Sequence, residues 1–359
     1  MSSDASAVVD RARAVADTVL FPRAQDVDRG LVTVEHGLRA LAESGLFGIT
    51  GPASHGGSDL DARTARRVIA AVSGGCGATF FVWVQHLGVV RSLRASGNDA
   101  LVDGLLASMC SGELIAGVAF AHARRPGPPA VRATPLPDGR WRLDGHAPWV
   151  TSWGIADWFC VAAESEAGEL VWTMISGSAP AGVRATPLDL PVFASTGTVA
   201  LSFEGCTVPS GHVVVIENAS NWRTADRVRA AIGQSATLGV ADRAIRLLND
   251  VANHDVADGL HVAAAALRLA GELDAISRRD DELVDTRPSG NIEADIATAS
   301  DHRAACLVLA QRATTALLAA TGGRGMDLAH PAQRLAREAD FYVIQAQTAD
   351  GRAATLRSV

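Results

Sequence analysis

The spacing of apolar residues changes twice along this chain, and those two changes limit the folds open to it. Up to about Glu113 the period is helical: Val8, Ala12, Val15 and Val19 recur at helical steps, and Leu38, Leu41 and Leu46 do so more loosely. Glycine- and proline-rich breaks separate these stretches, notably Thr50-Gly51-Pro52-Ala53-Ser54-His55-Gly56-Gly57. From about Leu114 to Ile216 the period is two. Trp141 and Leu143 alternate with charged neighbours, as do Val199, Leu201 and Phe203 with smaller or polar ones, while Phe159–Ala163 and Leu170–Ile175 are apolar strand candidates. Tryptophans gather between Trp141 and Trp222, so bulky packing is expected in this zone, and a small β-barrel or sandwich suits its frequent turns.

From about Glu217 the helical period returns. Val228, Ile232, Leu238, Ala241, Ile245 and Leu248 form one stripe; further helices are expected near Leu260–Ile276 and Ile292–Ala320, and a last one begins near Pro331, where proline suits a first turn. Long apolar helices in series predict a four-helix bundle. The expected α+β organisation is an N-terminal helical domain over 1–113, a middle β-barrel over 114–217 and a C-terminal bundle over 218–359.

Composition removes several function classes. With 359 residues and 48% hydrophobic residues, the chain can bury a large interior. A net charge of -7 without a basic stripe argues against nucleic acid. Met1-Ser2-Ser3-Asp4 opens a polar amphipathic segment, not a secretory signal, and the longer apolar runs, such as Leu114–Ala121, are too short for a membrane span. Cys76, Cys110, Cys160, Cys206 and Cys306 lack C-x-x-C spacing, so reduced, packed thiols in a cytoplasmic protein are expected, not disulfides or a metal site.

Local motifs then follow one another in a recognisable order. Gly45-Leu46-Phe47-Gly48-Ile49-Thr50-Gly51-Pro52 with His55-Gly56-Gly57 resembles "G-L-F-G-x-x-x-P-E-E-Y-G-G", and Ser111-Gly112-Glu113 stands before an apolar strand. Trp149-Val150-Thr151-Ser152-Trp153-Gly154-Ile155-Ala156-Asp157 resembles "W-I-T-N-G-x-x-A-D". Phe203-Glu204-Gly205-Cys206-Thr207-Val208-Pro209 is similar to "F-x-x-V-x-V-P". Gly322-Gly323-Arg324-Gly325 followed by Pro331-Ala332-Gln333-Arg334-Leu335-Ala336-Arg337-Glu338-Ala339 resembles "G-G-x-G…P-x-x-R-x-x-R-D-A". In this order the motifs resemble the acyl-CoA dehydrogenase superfamily across nearly the whole chain.

The resemblance implies a flavoenzyme that binds FAD and desaturates an acyl thioester, as a homotetramer or homodimer or beside a related dehydrogenase chain. It implies that Trp149 and Thr151 lie against the flavin ring, the hydroxyl near N5; on residue type alone both could be ordinary barrel-rim residues. It places Gly322, Gly323 and Gly325 against a neighbouring subunit's cofactor, although such glycines also suit a plain helix–helix turn. Thr348 falls where relatives place a threonine near the nucleotide.

Three departures accompany the likeness. The "T-E-P-G-x-G-S-D" loop is replaced by Ala121-His122-Ala123-Arg124-Arg125-Pro126-Gly127-Pro128, in which His122 could reach the flavin or be structural, and the arginines could meet phosphate or solvent. The "R-x-x-F-G" element is missing around Asn253-His254-Asp255-Val256-Ala257-Asp258-Gly259. Ala346 occupies the position of the usual catalytic glutamate, and alanine takes no proton. The nearest substitute is Asp226, on the first bundle helix, where an acid also serves to cap or to offset the helix dipole. A flavin monooxygenase and a non-catalytic subunit therefore stand beside the dehydrogenase reading.

Overall fold

The computed structural model describes residues 3–125, 127–254, 259–286 and 289–359. Pro126 and Asp255–Asp258, which carry part of the loop departures noted above, lie outside the described residues, as do Met1 and Ser2.

The N-terminal zone is six helices: α1 (Ser3–Val15), α2 (Ala24–Asp28), α3 (Glu35–Glu43), α4 (Ala62–Gly75), α5 (Gly77–Arg94) and α6 (Asp99–Ser111). Val8, Ala12 and Val15 are buried as their spacing predicts. Val19 is half-buried against the same core, and a π-helical turn at Ala16–Leu20, which inserts one residue into the register, brings Ala16 and Leu20 fully into it. The Thr50–Gly57 break folds back tightly: a Cβ on Gly57 would lie 2.2 Å from the Gly51 carbonyl oxygen, so only glycine fits. α5 is buried on most of its circumference, and Trp83 inside it donates its indole N–H to the Leu46 carbonyl at 3.1 Å.

Eight strands follow: β1 (Ala116–Ala119), β2 (Val131–Pro135), β3 (Trp141–Val150), β4 (Trp158–Glu164), β5 (Glu169–Ser176), β6 (Val183–Pro187), β7 (Val199–Val208) and β8 (Val213–Asn218). They form one sheet in the order β6-β7-β3-β2-β4-β5-β8, with β1 parallel to β4 off this path. The path ends at β6 and β8, so the barrel is open. Leu143, Val150, Phe159, Val171, Leu201 and Phe203 fill one core of the sheet, while Cys160, Trp172 and Met174 pack with α5 and α6 residues in another. Coverage on both faces explains why β4 and β5 read as continuous apolar runs instead of alternating.

Six helices close the chain: α7 (Ala219–Ala231), α8 (Ser235–His254), α9 (Gly259–Asp285), α10 (Ile292–Thr321), α11 (Pro331–Ile344) and α12 (Ala349–Ser358). Helices α8 to α11 pack on one another as the expected bundle, and α7 and α12 flank α10. The stripe from Val228 to Leu248 is not one helix. Gly233, at φ +87°, takes a left-handed turn that ends α7 and redirects the chain into α8. Nor is the helix from Pro331 the last. The chain reverses after Ile344, and Thr348 caps α12 by accepting from Gly351 N at 3.1 Å.

By length and composition alone the stretch Ile292–Met326 could cross a membrane, contrary to the expectation drawn from the apolar runs. Half of that window is buried inside the protein, however, and it carries the buried His302 and Arg303, so α10 is the central helix of the bundle. All five cysteines are free and buried. Burial pushes the Cys160 and Cys306 thiols up to about 12.

Candidate active site

The C-terminal end of β3 forms a strained lip. A register shift between Ala147 and Val150 interrupts its pairing with β7, and Trp149 is left at φ +62° with its side chain 52% exposed. Ser152 sits at φ +77°, fully buried, its hydroxyl without a hydrogen-bond partner. Two non-glycine residues in left-handed conformation, three positions apart, are costly, and such strain gathers at ligand sites.

Between them lies Thr151, buried, at the end of a chain of hydroxyls. Thr196 Oγ1 donates to the Phe193 carbonyl at 2.9 Å, which uses its one proton. It therefore accepts from Thr198 Oγ1 at 2.8 Å, and Thr198 in turn accepts from Thr151 Oγ1 at 3.2 Å. Thr151 has committed its proton inward. Toward a bound group it offers lone pairs only.

The loop that carries this chain is fastened to two helices. Asp28 on α2 accepts from Phe193 N at 2.7 Å and pairs with Arg337 on α11 at 2.6 Å, and Arg337 also donates to the Pro191 carbonyl at 2.7 Å. The ring of Phe193 packs 4.9 Å from Phe341 on α11 and 5.8 Å from Phe81 on α5. Deeper in α11, Arg334 and Glu338 form a fully buried ion pair at 2.6 Å, and burial pushes the Glu338 carboxyl up. Composition gave no sign that these acids were internal.

Asp226 projects from α7 with its side chain buried. Both its oxygens are held by Arg124 from the turn after β1, Nε at 2.6 Å and Nη2 at 3.1 Å. The loop arginine thus meets the candidate base itself. Behind this pair, Arg303 on α10 donates to the carbonyls of Ala230, Tyr342 and Gln345 at 3.3, 3.1 and 2.6 Å and to Gln234 Oε1 at 3.1 Å. Burial lowers its guanidinium to about 10, and those contacts fasten the ends of α7 and α11. The bend after α11 brings Ala346 to φ +51°.

His122 is buried and turned into the barrel, where Nε2 lies 2.7 Å from the Ala162 carbonyl and so carries the proton. Its Nδ1 has no partner, and burial pushes the ring down to about 4. The imidazole borders a 130 Å³ cavity also lined by Arg125, Glu164 and Arg223. The alternatives for Arg124 and Arg125 thus separate: one is half of an ion pair, the other lines a cavity. Gly322, Gly323 and Gly325 lie in the 3-10 turn Gly322–Met326, where Gly322 has φ +64° and added Cβ atoms on Gly322 and Gly323 would meet nothing within 4 Å. That surface is open to a ligand or another chain.

Residues 2–113 match the family described as acyl-CoA dehydrogenase, N-terminal domain. Over 245 residues the chain is 28% identical to a Mycobacterium leprae (strain TN) protein named probable acyl-CoA dehydrogenase fadE25, covering 65% of this chain and 62% of that one. The chain belongs to the acyl-CoA dehydrogenase superfamily. Because under two thirds of that relative's length is matched, membership of the superfamily does not carry the relative's activity with it. Butyryl-CoA dehydrogenase from Megasphaera elsdenii superposes at TM-score 0.83 and 17% identity, covering 100% of this chain and 97% of that one. A dibenzothiophene monooxygenase from Paenibacillus sp. A11-2 does so at 0.77 and 17%, covering 98% and 96%. At such identities both likenesses concern the superfamily's fold alone.

The lip residues suit the flavin ring that the superfamily likeness implies. An exposed indole offers a flat face, Thr151 supplies acceptor lone pairs, and the buried Ser152 hydroxyl is unused. Sequence reasoning gave no role to Ser152, although it stands in the Trp149–Asp157 motif, and missed Thr196 and Thr198, which have no motif of their own. It also missed Asp28, whose burial no local pattern discloses.

Proposed function

We propose that the chain is an FAD-dependent oxidoreductase that desaturates an acyl thioester at the α,β position. FAD, when bound, supplies the acceptor for the hydride that leaves the β-carbon. The reading rests above all on the lip, where Trp149 presents an open aromatic face beside a hydroxyl whose polarity is set. Trp149 and Thr151 would hold the ring, and Gly322, Gly323 and Gly325 would let a cofactor approach the backbone closely. Thr348 would contribute through its place at the start of α12, and His122 through the neutral Nδ1 it keeps unprotonated.

Asp226 would accept the α-proton. Arg124 occupies both of its oxygens in the resting structure. The substrate must therefore loosen one of the two contacts. Leu260 and Leu267 on α9, 88% and 77% exposed, are consistent with a homotetramer or homodimer, or pairing with a related chain. Buried, reduced cysteines fit a cytoplasmic setting.

Anaerobic mixing of the flavin-loaded protein with an acyl-CoA panel tests this: one member at least should bleach the visible flavin absorbance. No bleaching by any thioester defeats the desaturase reading.

One observation favours a second reading. Ala346 stands at the customary base position and Asp226 is doubly held, an arrangement that suits oxygen chemistry without α-proton abstraction. A monooxygenase of the same superfamily would consume oxygen only when supplied with reduced flavin and an organic substrate. A chain that takes up flavin only when co-expressed with a related dehydrogenase would instead be a non-catalytic subunit.

A further inference from the structure

The helical run that opens the chain changes type repeatedly between α1 and α2, and a cavity lies beside the change. The π-turn Ala16–Leu20 gives way to a 3-10 turn, Phe21–Arg23, before α2 begins at Ala24. Such departures from the α-helix gather at functional positions. Here they leave Val19 half-buried beside a 110 Å³ cavity bounded by α2, α3 and α5.

The cavity has an apolar wall and a cationic rim. Leu20 and Val27 line it from buried positions, as does Thr79 of α5, whose hydroxyl proton goes to Cys76 Sγ at 3.4 Å. Val32, Arg23 and His36 line it from exposed positions. Among the described residues no carboxylate lines the cavity, and neither Arg23 nor His36 has an acidic partner. A ligand therefore meets hydrocarbon inside and a guanidinium with an imidazole at the opening. At about 30 Å³ per water-sized group, the space holds about four carbons. An apolar tail of that length with an anion at one end suits both halves, because the tail leaves water while the head gains a charge-assisted contact. An ammonium head would meet Arg23 with the wrong sign.

The cavity wall is also the anchor of the lip. Val27 lines the cavity, and its carbonyl accepts from Ser195 Oγ. The next residue, Asp28, accepts from Phe193 N at 2.7 Å. An added Cβ on Gly30 would lie 3.3 Å from Ala194 Cβ, so the chain leaving α2 abuts the same loop. α2 has only five residues, and a helix that short is held by what it packs against. A ligand against Val27 adds to that packing.

We infer that the cavity between α2, α3 and α5 binds a short-chain aliphatic carboxylate, and that its occupant tightens the grip of α2 on the lip. The site needs neither flavin nor thioester, so it stands or falls apart from the desaturase reading.

Three ligands with one carbon skeleton test the head group: valerate, pentan-1-ol and pentylamine, titrated into the full chain by calorimetry. Valerate should bind at least about tenfold more tightly than the other two, and Arg23→Gln should remove that preference. Val32→Trp, which sets an indole at the rim from a position 41% exposed, should abolish binding of all three. Hydrogen exchange reads the grip on the lip. Exchange at Phe193 N requires α2 to part from the loop, and a ligand that binds only the closed form slows it by the factor one plus ligand concentration over Kd. Valerate at ten times its Kd should therefore slow exchange at Phe193 about tenfold and leave amides of α10 unchanged. The wild-type exchange measurement stands even if a variant does not fold. No binding, a preference that Arg23→Gln leaves in place, binding that survives Val32→Trp, or unaltered Phe193 exchange at saturation each overturns the inference.

Discussion

Arg124 holds Asp226 through both carboxylate oxygens, at 2.6 and 3.1 Å, across 102 residues of sequence. The base role proposed for Asp226 and its structural role in this buried pair can be separated by two substitutions. Asp226→Asn keeps the shape of the side chain but removes the proton acceptor. The rate of flavin reduction by a productive thioester should fall about a hundredfold or more, with flavin content unchanged. Stopped-flow absorbance measures it, and a rate within about threefold of wild type would exclude Asp226 as the base. Arg124→Ala leaves the buried carboxylate without its partner, and stability should fall by about 3 kcal/mol in chemical denaturation.

The hydroxyl chain at the lip makes a prediction with a sign. Because Thr196 donates to the Phe193 carbonyl, Thr198 donates to Thr196 and Thr151 to Thr198, which leaves Thr151 an acceptor. Thr198→Val takes away the inward acceptor, and the Thr151 proton is then free to point at the bound cofactor. An acceptor at N5 favours the reduced flavin, which carries a proton there, whereas a donor favours the oxidised form. The reduction potential of the bound flavin should therefore drop in Thr198→Val, as measured by dye-coupled titration. A rise, or no change, would mean that the chain does not run in the direction deduced here.

The fold was legible where burial itself has a period. Val8, Ala12 and Val15, and then Val199, Leu201 and Phe203, lie in the core because a helix and a strand return those positions to one face. The period misled where the backbone changed step without a change in apolar content. The π-turn at Ala16–Leu20 and the left-handed Gly233 each reset the register, yet the residues beyond stay hydrophobic. The candidate site was half legible. Trp149 and Thr151 stand in a motif, whereas Thr196, Thr198 and Asp28 matter only because distant segments meet. Arg124 and Arg125 show the same limit. Adjacent and identical in type, one closes on Asp226 and the other lines a cavity.

Acid should weaken the protein in a defined window. Ala116 N donates to His86 Nδ1 at 3.1 Å, so Nε2 carries the proton toward the Met109 carbonyl at 3.0 Å, and the ring has no room for a second one. Burial pushes His86 and His122 down to about 4 from their ordinary 6.5. The unfolded chain thus binds more protons than the folded one between those values. Stability is complete above about pH 6.5 and is lost as pH falls toward 4, by about 3 kcal/mol per histidine. Urea denaturation at pH 7.5, 6 and 5 reads the slope above the range where carboxylates titrate. A flat profile across that interval would show that neither ring is held neutral by its surroundings.

Asp28 tests whether the lip depends on its anchor. Its two oxygens serve two segments, Phe193 N on the loop before β7 and the Arg337 guanidinium on α11. Asp28→Ala orphans a buried N–H and weakens the hold on a half-buried arginine, at a cost of about 3 kcal/mol. Asp28→Asn keeps an acceptor for Phe193 N and loses only the charge, so it should cost less. The cofactor site should respond in the same order, since Phe193 supplies the carbonyl on which the hydroxyl chain ends. Flavin dissociation constants from fluorescence titration should rise in Asp28→Ala and rise less in Asp28→Asn. If the alanine variant is destabilised as expected but binds flavin as tightly as wild type, the lip is rigid on its own account and the anchor serves folding alone.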